Sequence, residues 1–175
     1  MVKALSLSLL AIILVGCQST VQTERQATAT AFVVESMQEA MEVAEESALA
    51  ICNLDFDQSP EVYVNNICSI STDLSCAFVA EDVKESWDEM QSQYDASKVV
   101  CEKNSSRMLE TGEQYGKRVQ YWRVNLAGVS GFGTGVYEQI YWLQIVEENG
   151  HWKFNRSLNT NEIAMYFAIE QMEQG

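Results

Sequence analysis

The hydrophobic pattern of the chain changes period once. From Ala31 to Cys52 the apolar positions Val34, Met37, Met41, Ala44, Ala48 and Ile51 recur at steps of three and four, while Glu35, Glu39, Glu42 and Glu46 take other sides. That spacing predicts an amphipathic helix whose apolar stripe packs on a sheet. Asn53 to Pro60 breaks it, and Ser59-Pro60-Glu61 reads as N-cap, first-turn proline and dipole-favoured acid of a short second helix. A third helix is predicted over Thr72 to Tyr94, where Cys76, Val79, Val83, Trp87, Met90 and Tyr94 share a stripe. Glu81, Asp82, Glu85, Asp88 and Glu89 on that segment read as a solvated acidic face.

After Ala96 the period becomes two. Lys98 to Glu102 opens a strand region that runs toward Arg107 to Glu110, with Asn104-Ser105-Ser106 blurring its boundary. Lys117 to Val129 and Val136 to Val146 are clearer strands, rich in aromatic and β-branched residues. Asn149-Gly150 marks a type I′ hairpin, since both central positions need positive φ, and His151 to Arg156 returns from it.

A two-residue turn sets Glu148 opposite His151, Glu147 opposite Trp152 and Ile145 opposite Phe154. With a four-residue loop at Gly131 to Thr134, the predicted core face is Trp122, Val124, Leu126, Tyr141, Leu143, Ile145, Trp152 and Phe154. Its reverse carries Tyr121, Arg123, Asn125, Trp142, Gln144, Lys153 and Asn155. One apolar and one mixed face predict helices on a single side. Asn159 with Glu162 then forms a capping box for a terminal helix carrying Ile163, Tyr166, Phe167 and Ile169. The expected class is α+β: N-terminal helices packed on one face of a curved antiparallel sheet, with a C-terminal helix.

The N-terminus follows different rules. The apolar run Ala4 to Val15 is too short for the roughly 20 residues of a membrane-spanning helix, but suits the core of a cleaved signal. Lys3 precedes it and Leu14-Val15-Gly16-Cys17 closes it, a tetrapeptide that resembles the bacterial lipobox. The resemblance implies a signal peptide over residues 1–16, cleavage before Cys17, and diacylglycerol on its sulfur. Residues 17–30 then read as a polar coil that tethers a single α+β domain over 31–175. The expected location is exported and lipid-anchored, at the cell membrane or outer membrane, facing the periplasm or the cell exterior.

Charge narrows the partners. A formal net charge of −14 repels nucleic acid and anionic headgroups, so no nucleic-acid partner is expected and the lipid must do the anchoring. Of five cysteines, the lipobox resemblance assigns Cys17 to the lipid, leaving Cys52, Cys68, Cys76 and Cys101 as disulfide candidates in an oxidising compartment. Three connectivities are open; the short Cys68 to Cys76 loop favours that local pair and leaves Cys52 with Cys101. No C-x-x-C occurs and the only histidine is remote, so no metal site is expected.

The order of three helices and then a curved meander ending in VEENGHWKFNRS resembles the nuclear transport factor 2-like, or cystatin-like, superfamily. Its members often close with an acidic or polar residue, a glycine turn and a lysine-tryptophan strand, matched here by Glu148-Asn149-Gly150-His151-Trp152-Lys153. The helix after Asn159 and the cysteines depart from that pattern. The resemblance implies a pocket between helices and sheet, used in some relatives for isomerase or dehydratase chemistry.

Candidate chemistry is sparse. Gly128 to Gly135 (GVSGFGTG) precedes a strand, not the helix that a phosphate cradle needs. Asp55-Phe56-Asp57-Gln58-Ser59 begins like a calcium loop, but Pro60 replaces its glycine and Asn66 its closing glutamate, so cap and turn chemistry is expected. His151 lies at a turn without an orienting acid or oxyanion site. No catalytic residue and no cofactor are assigned. Trp87, Trp122, Tyr141, Trp152 and Phe154 are candidates for a pocket or the core, and Tyr121, Arg123, Trp142 and Lys153 for an interface. The expected function is a membrane-anchored module binding a small apolar ligand, a protein or a second copy. The alternative is a pocket-type isomerase or dehydratase using a buried carboxylate.

Overall fold

The computed structural model describes residues 18–93, 98–130 and 136–173. The signal segment 1–16, Cys17, Tyr94 and the loop Gly131 to Thr134 lie outside the described residues. Helix α1 runs from Gln18 to Cys52, so the segment 18–30, expected as coil, is helical. A two-residue strand β1 (Leu54–Asp55) follows, then α2 (Pro60–Cys68) and α3 (Asp73–Gln93). The sheet continues through β2 (Lys98–Gln114), β3 (Lys117–Ser130), β4 (Val136–Glu148) and β5 (His151–Ser157), and α4 (Thr160–Glu173) ends the described chain. Of the described residues, those from Glu39 onward form one compact unit and 18–38 fall in another.

The local signals act as expected. Ser59 is the N-cap of α2 with extended backbone, and Pro60 stands in its first turn. At α4 the Asn159 Oδ1 accepts the amides of Asn161 and Glu162 at 3.0 and 3.1 Å, while the Asn159 amide donates to Glu162 Oε2 at 2.9 Å. These are the reciprocal bonds of a capping box. Asn149 and Gly150 both have positive φ, 55° and 83°, as the type I′ turn requires. A second such turn, Tyr115-Gly116, joins β2 to β3.

The five strands form an antiparallel sheet in the order β1-β2-β3-β4-β5, curved and unclosed. Glu148 pairs with His151, Glu147 with Trp152 and Ile145 with Phe154, and Trp122 pairs with Leu143. All eight residues of the expected core face lie against one cluster: seven are buried, and Tyr141 is half-buried beside them. That cluster also takes Ala40, Ala44 and Ala48 of α1, Ile67 of α2, and Val83 and Trp87 of α3. Three alanines at four-residue steps give α1 a low ridge where it packs into the core.

Strand β2 is one long element, with irregularities between Lys103 and Ser105 and between Met108 and Glu110. Each inserted residue shifts the inward set by one position. Val99 and Cys101 face the helical core, Ser106 and Met108 take over that role after the first shift, and Glu110 sits beside Tyr121 on the reverse face after the second.

Two disulfides secure the helical side. Cys52–Cys101 joins the end of α1 to β2, with Cα atoms 6.0 Å apart, and Cys68–Cys76 closes the α2–α3 connection at 4.7 Å. This is the pairing favoured by the short local loop. The same connection protects the sheet edge: Thr72 N–H donates to Phe154 O, and Phe154 N–H to Ile70 O, each at 2.8 Å.

The expectation that helices cover only one side is overturned. Helix α4 lies on the reverse face, where Val119, Tyr121, Trp142, Val146, Leu158 and Tyr166 form a second buried cluster. The mixed face supplies aromatic surface and polar partners, and α4 uses both.

Candidate functional site

The functional candidates fall in three places. Trp122, Trp152 and Phe154 are core residues, each at most 5% exposed, and Tyr141 packs half-buried beside them. Tyr121 and Trp142 are buried beneath α4. The Trp142 ring lies 5.0 Å from Phe167 and 6.5 Å from Tyr166, and Tyr121 lies 6.0 Å from Tyr166. Arg123 stands over Trp142 at 5.6 Å and donates to Glu170 at 2.8 Å, while Lys153 reaches toward Glu148 at 4.0 Å. Helix α4 therefore covers Tyr121 and Trp142 and engages Arg123, while Lys153 stays partly exposed at the β4–β5 hairpin.

Trp87 is the exception. It is buried in α3, yet it forms part of the floor of a cleft between α2 and α3 of about 360 Å³. Its indole is backed by Phe56 at 5.2 Å and Tyr63 at 5.7 Å, and the Tyr63 hydroxyl donates to the Ile51 carbonyl at 2.8 Å. Val64, Ala80 and Val83 extend the apolar lining. Exposed polar groups make the rim: Glu61 and Asn65 on α2, and Lys84, Glu85 and Asp88 on α3. Glu61 is held below its ordinary carboxylate value by the Ser59 hydroxyl and by its own backbone N–H at the start of α2.

A second, smaller cleft of about 210 Å³ lies where α4 meets β2 and β3, among Glu110, Gln114, Tyr121, Glu162 and Tyr166. The Tyr166 hydroxyl donates to Glu110 at 2.7 Å. Burial, and next the Glu110 carboxylate, push that hydroxyl well above its ordinary value, so it serves as a fixed donor. Behind it Gln144, fully buried, donates to the Tyr121 hydroxyl at 3.0 Å and to Gln114 at 3.1 Å, and accepts from Asn155 at 2.6 Å. This network satisfies the buried polar atoms of the reverse face. Sequence reasoning placed Gln144 and Asn155 on that face without joining them, because nothing in the alternation signals that a helix would cover them.

The other singled-out motifs have local explanations. Asp55 Oδ1 accepts the Asp57 amide at 3.2 Å and Oδ2 accepts the Gln58 side chain at 2.9 Å, so the calcium-like stretch is turn chemistry. Among the described residues no cluster of His, Cys, Asp or Glu is arranged to hold a metal. His151 is exposed and stands 3.6 Å from Glu39. The buried carboxylates are engaged by cations: Glu45 by Lys103 at 2.7 Å, with the Ser106 hydroxyl, and Glu170 by Arg123 and Arg107. Among the described residues no helix is long and apolar enough to cross a membrane.

No family model matches the chain, and comparison with curated proteins and with solved structures finds no match.

Proposed function

We propose that this is a lipid-anchored envelope protein whose domain is a small-ligand-binding module, with the α2–α3 cleft as its site. The observation that carries the binding role is the cleft itself: an apolar floor closed by Trp87, a polar rim, and a volume within the roughly 300–1,000 Å³ of ligand sites. The element order supports a cystatin-like module, and the Leu14-Val15-Gly16-Cys17 box supports anchoring through Cys17. Two disulfides suit a chain that folds after export. The isomerase or dehydratase alternative calls for a carboxylate in an apolar pocket; Glu45 and Glu170 are instead taken up in ion pairs.

Two experiments test the two halves. Globomycin treatment and mass spectrometry of the membrane fraction are expected to show a diacylated Cys17; unchanged membrane retention of Cys17→Ser defeats the anchor. For the cleft, saturation-transfer NMR with a mixed small-molecule library is expected to give hits that Ala80→Trp abolishes while circular dichroism stays unchanged. Hits that survive this filling of the cleft would place binding elsewhere.

A further inference from the structure

We infer that the α2–α3 cleft selects a small organic cation, an ammonium or guanidinium carried on a short apolar body. This rests on the reading of the cleft as the ligand site and adds the chemistry of what it takes. The floor of Val64, Ala80, Val83 and Trp87 offers apolar contact, which suits a hydrocarbon body. The rim sets the sign of the charge. Glu61, Glu85 and Asp88 stand against a single Lys84, and Glu85, Asp88 and Lys84 enter no ion pair with any described residue. The rim therefore carries net negative charge that no ion pair among the described residues neutralises. Glu61, held below its ordinary carboxylate value by the Ser59 hydroxyl and its own amide, keeps a negative charge on the α2 wall.

The surroundings act in the same direction. Glu81, Asp82 and Glu89 lie on the same helix, and the chain as a whole carries −14, so the long-range field concentrates cations near this surface. An anionic ligand would have only Lys84 to meet it, opposed by three carboxylates. A neutral apolar ligand would use the floor and leave the rim idle.

The size of the preference follows from Coulomb's law. In a water-like dielectric at about 6 Å, one unit charge changes affinity about threefold, so a net excess of two carboxylates gives about tenfold for a cation over its neutral analogue. An anion loses about the same factor. Added salt must erase both, because exposed charges are screened.

The test uses three probes of one shape, hexylammonium, hexanol and hexanoate. Each is titrated calorimetrically into the full chain in phosphatidylcholine nanodiscs at low salt, with empty discs subtracted. Hexylammonium is expected to bind about tenfold tighter than hexanol, and hexanoate most weakly. Asp88→Asn should weaken hexylammonium about threefold and Lys84→Gln should strengthen it about threefold, with hexanol unmoved by either. Opposite signs from neighbouring surface positions are not a pattern that altered folding would produce. Equal binding of all three probes, or preference for hexanoate, overturns the cation class and leaves the cleft as a binding site. Probe binding that Ala80→Trp and Val64→Trp both leave intact, or no binding at all, overturns the cleft reading and the inference with it.

Discussion

The two faces of the sheet are covered in different ways. On one face, α1, α2 and α3 bury an extensive apolar cluster running from Ala40 to Phe154, and two disulfides tie those helices to each other and to β2. On the other, the single helix α4 rests on a narrow strip around Tyr121, Trp142 and Tyr166. Its polar attachments include Tyr166 to Glu110 at 2.7 Å, Glu170 to Arg123 at 2.8 Å, and Glu162 to both terminal guanidinium nitrogens of Arg156 at 2.7 and 2.6 Å. The first face is stabilised by many buried apolar contacts spread over three helices and the sheet. The second depends on a few directional contacts, each of which can be removed singly. Local opening free energies differ within a fold, and α4 is expected to open before the helical face.

The largest effect is expected from the helical face. Replacing Cys52 and Cys101 together by alanine releases a loop of 49 residues, and the loop-entropy relation gives a loss of about 4 kcal/mol. The Cys68–Cys76 bridge closes only 8 residues, for about 2.5 kcal/mol on the same relation. Urea unfolding of the two double variants checks the ranking; equal losses would show that the bridges act through folded-state contacts instead of chain entropy.

Removing the Glu170 carboxylate comes next. Glu170→Ala leaves Arg123 without its carboxylate, but its Nε still donates to Asn125 and the side chain is 26% exposed and can recruit water. The expected loss is therefore about 1–2 kcal/mol, at the lower end of the range for a stranded polar group. Amide exchange should rise in α4 and stay unchanged in α1, α2 and α3. Parallel acceleration on both faces would mean that they open as one unit, and the contrast between them would be lost.

Acid should produce the same selective loosening. The Arg156 guanidinium, through its hydrogen bonds, holds Glu162 below its ordinary value; partial burial opposes this, and the Asn159 amide adds to the lowering. A carboxylate with a lowered folded value contributes stability that is complete above its unfolded value, near 4.3, and is lost as pH falls through the folded value. Amide exchange between pH 5 and pH 3 should show α4 loosening, and Glu162→Gln should flatten that dependence. A wild-type α4 whose protection is constant over this range would remove the ion pair from the account of how the helix is held.

The sequence was most legible where one local signal fixes a long-range result. Asn149-Gly150 needs positive φ at both positions, so it set the β4–β5 register and, through alternation, the core face from Trp122 to Phe154. Strand β2 was harder to read because each of its two irregularities shifts the inward set, so no single period runs through Lys98–Gln114. The role of α4 was hidden for another reason. Its buried seam includes Glu170, while Ile169 and Met172 remain exposed, so polarity along this helix is a poor guide to orientation. At the cleft, Trp87 was recognised as a candidate, but Glu85 and Asp88 read as ordinary solvated charges. Only the approach of α2 turns that side of α3 into a rim.

The smallest expected effect lies on an exposed apolar stripe of α4. Met165, Ile169 and Met172 are spaced by four and three residues, so they form one stripe, and they are 48, 39 and 74% exposed. If α4 is held only by its seam, these side chains stabilise little, and Met172→Gln should change the unfolding free energy by less than about 0.5 kcal/mol. Thermal unfolding at several protein concentrations makes the measurement informative about assembly. A loss above about 1 kcal/mol that grows with concentration would show the stripe buried against a second copy, because association stabilises by mass action. Small, concentration-independent changes would confine the stabilising work of α4 to Tyr166, Glu162 and Glu170 on its inner side.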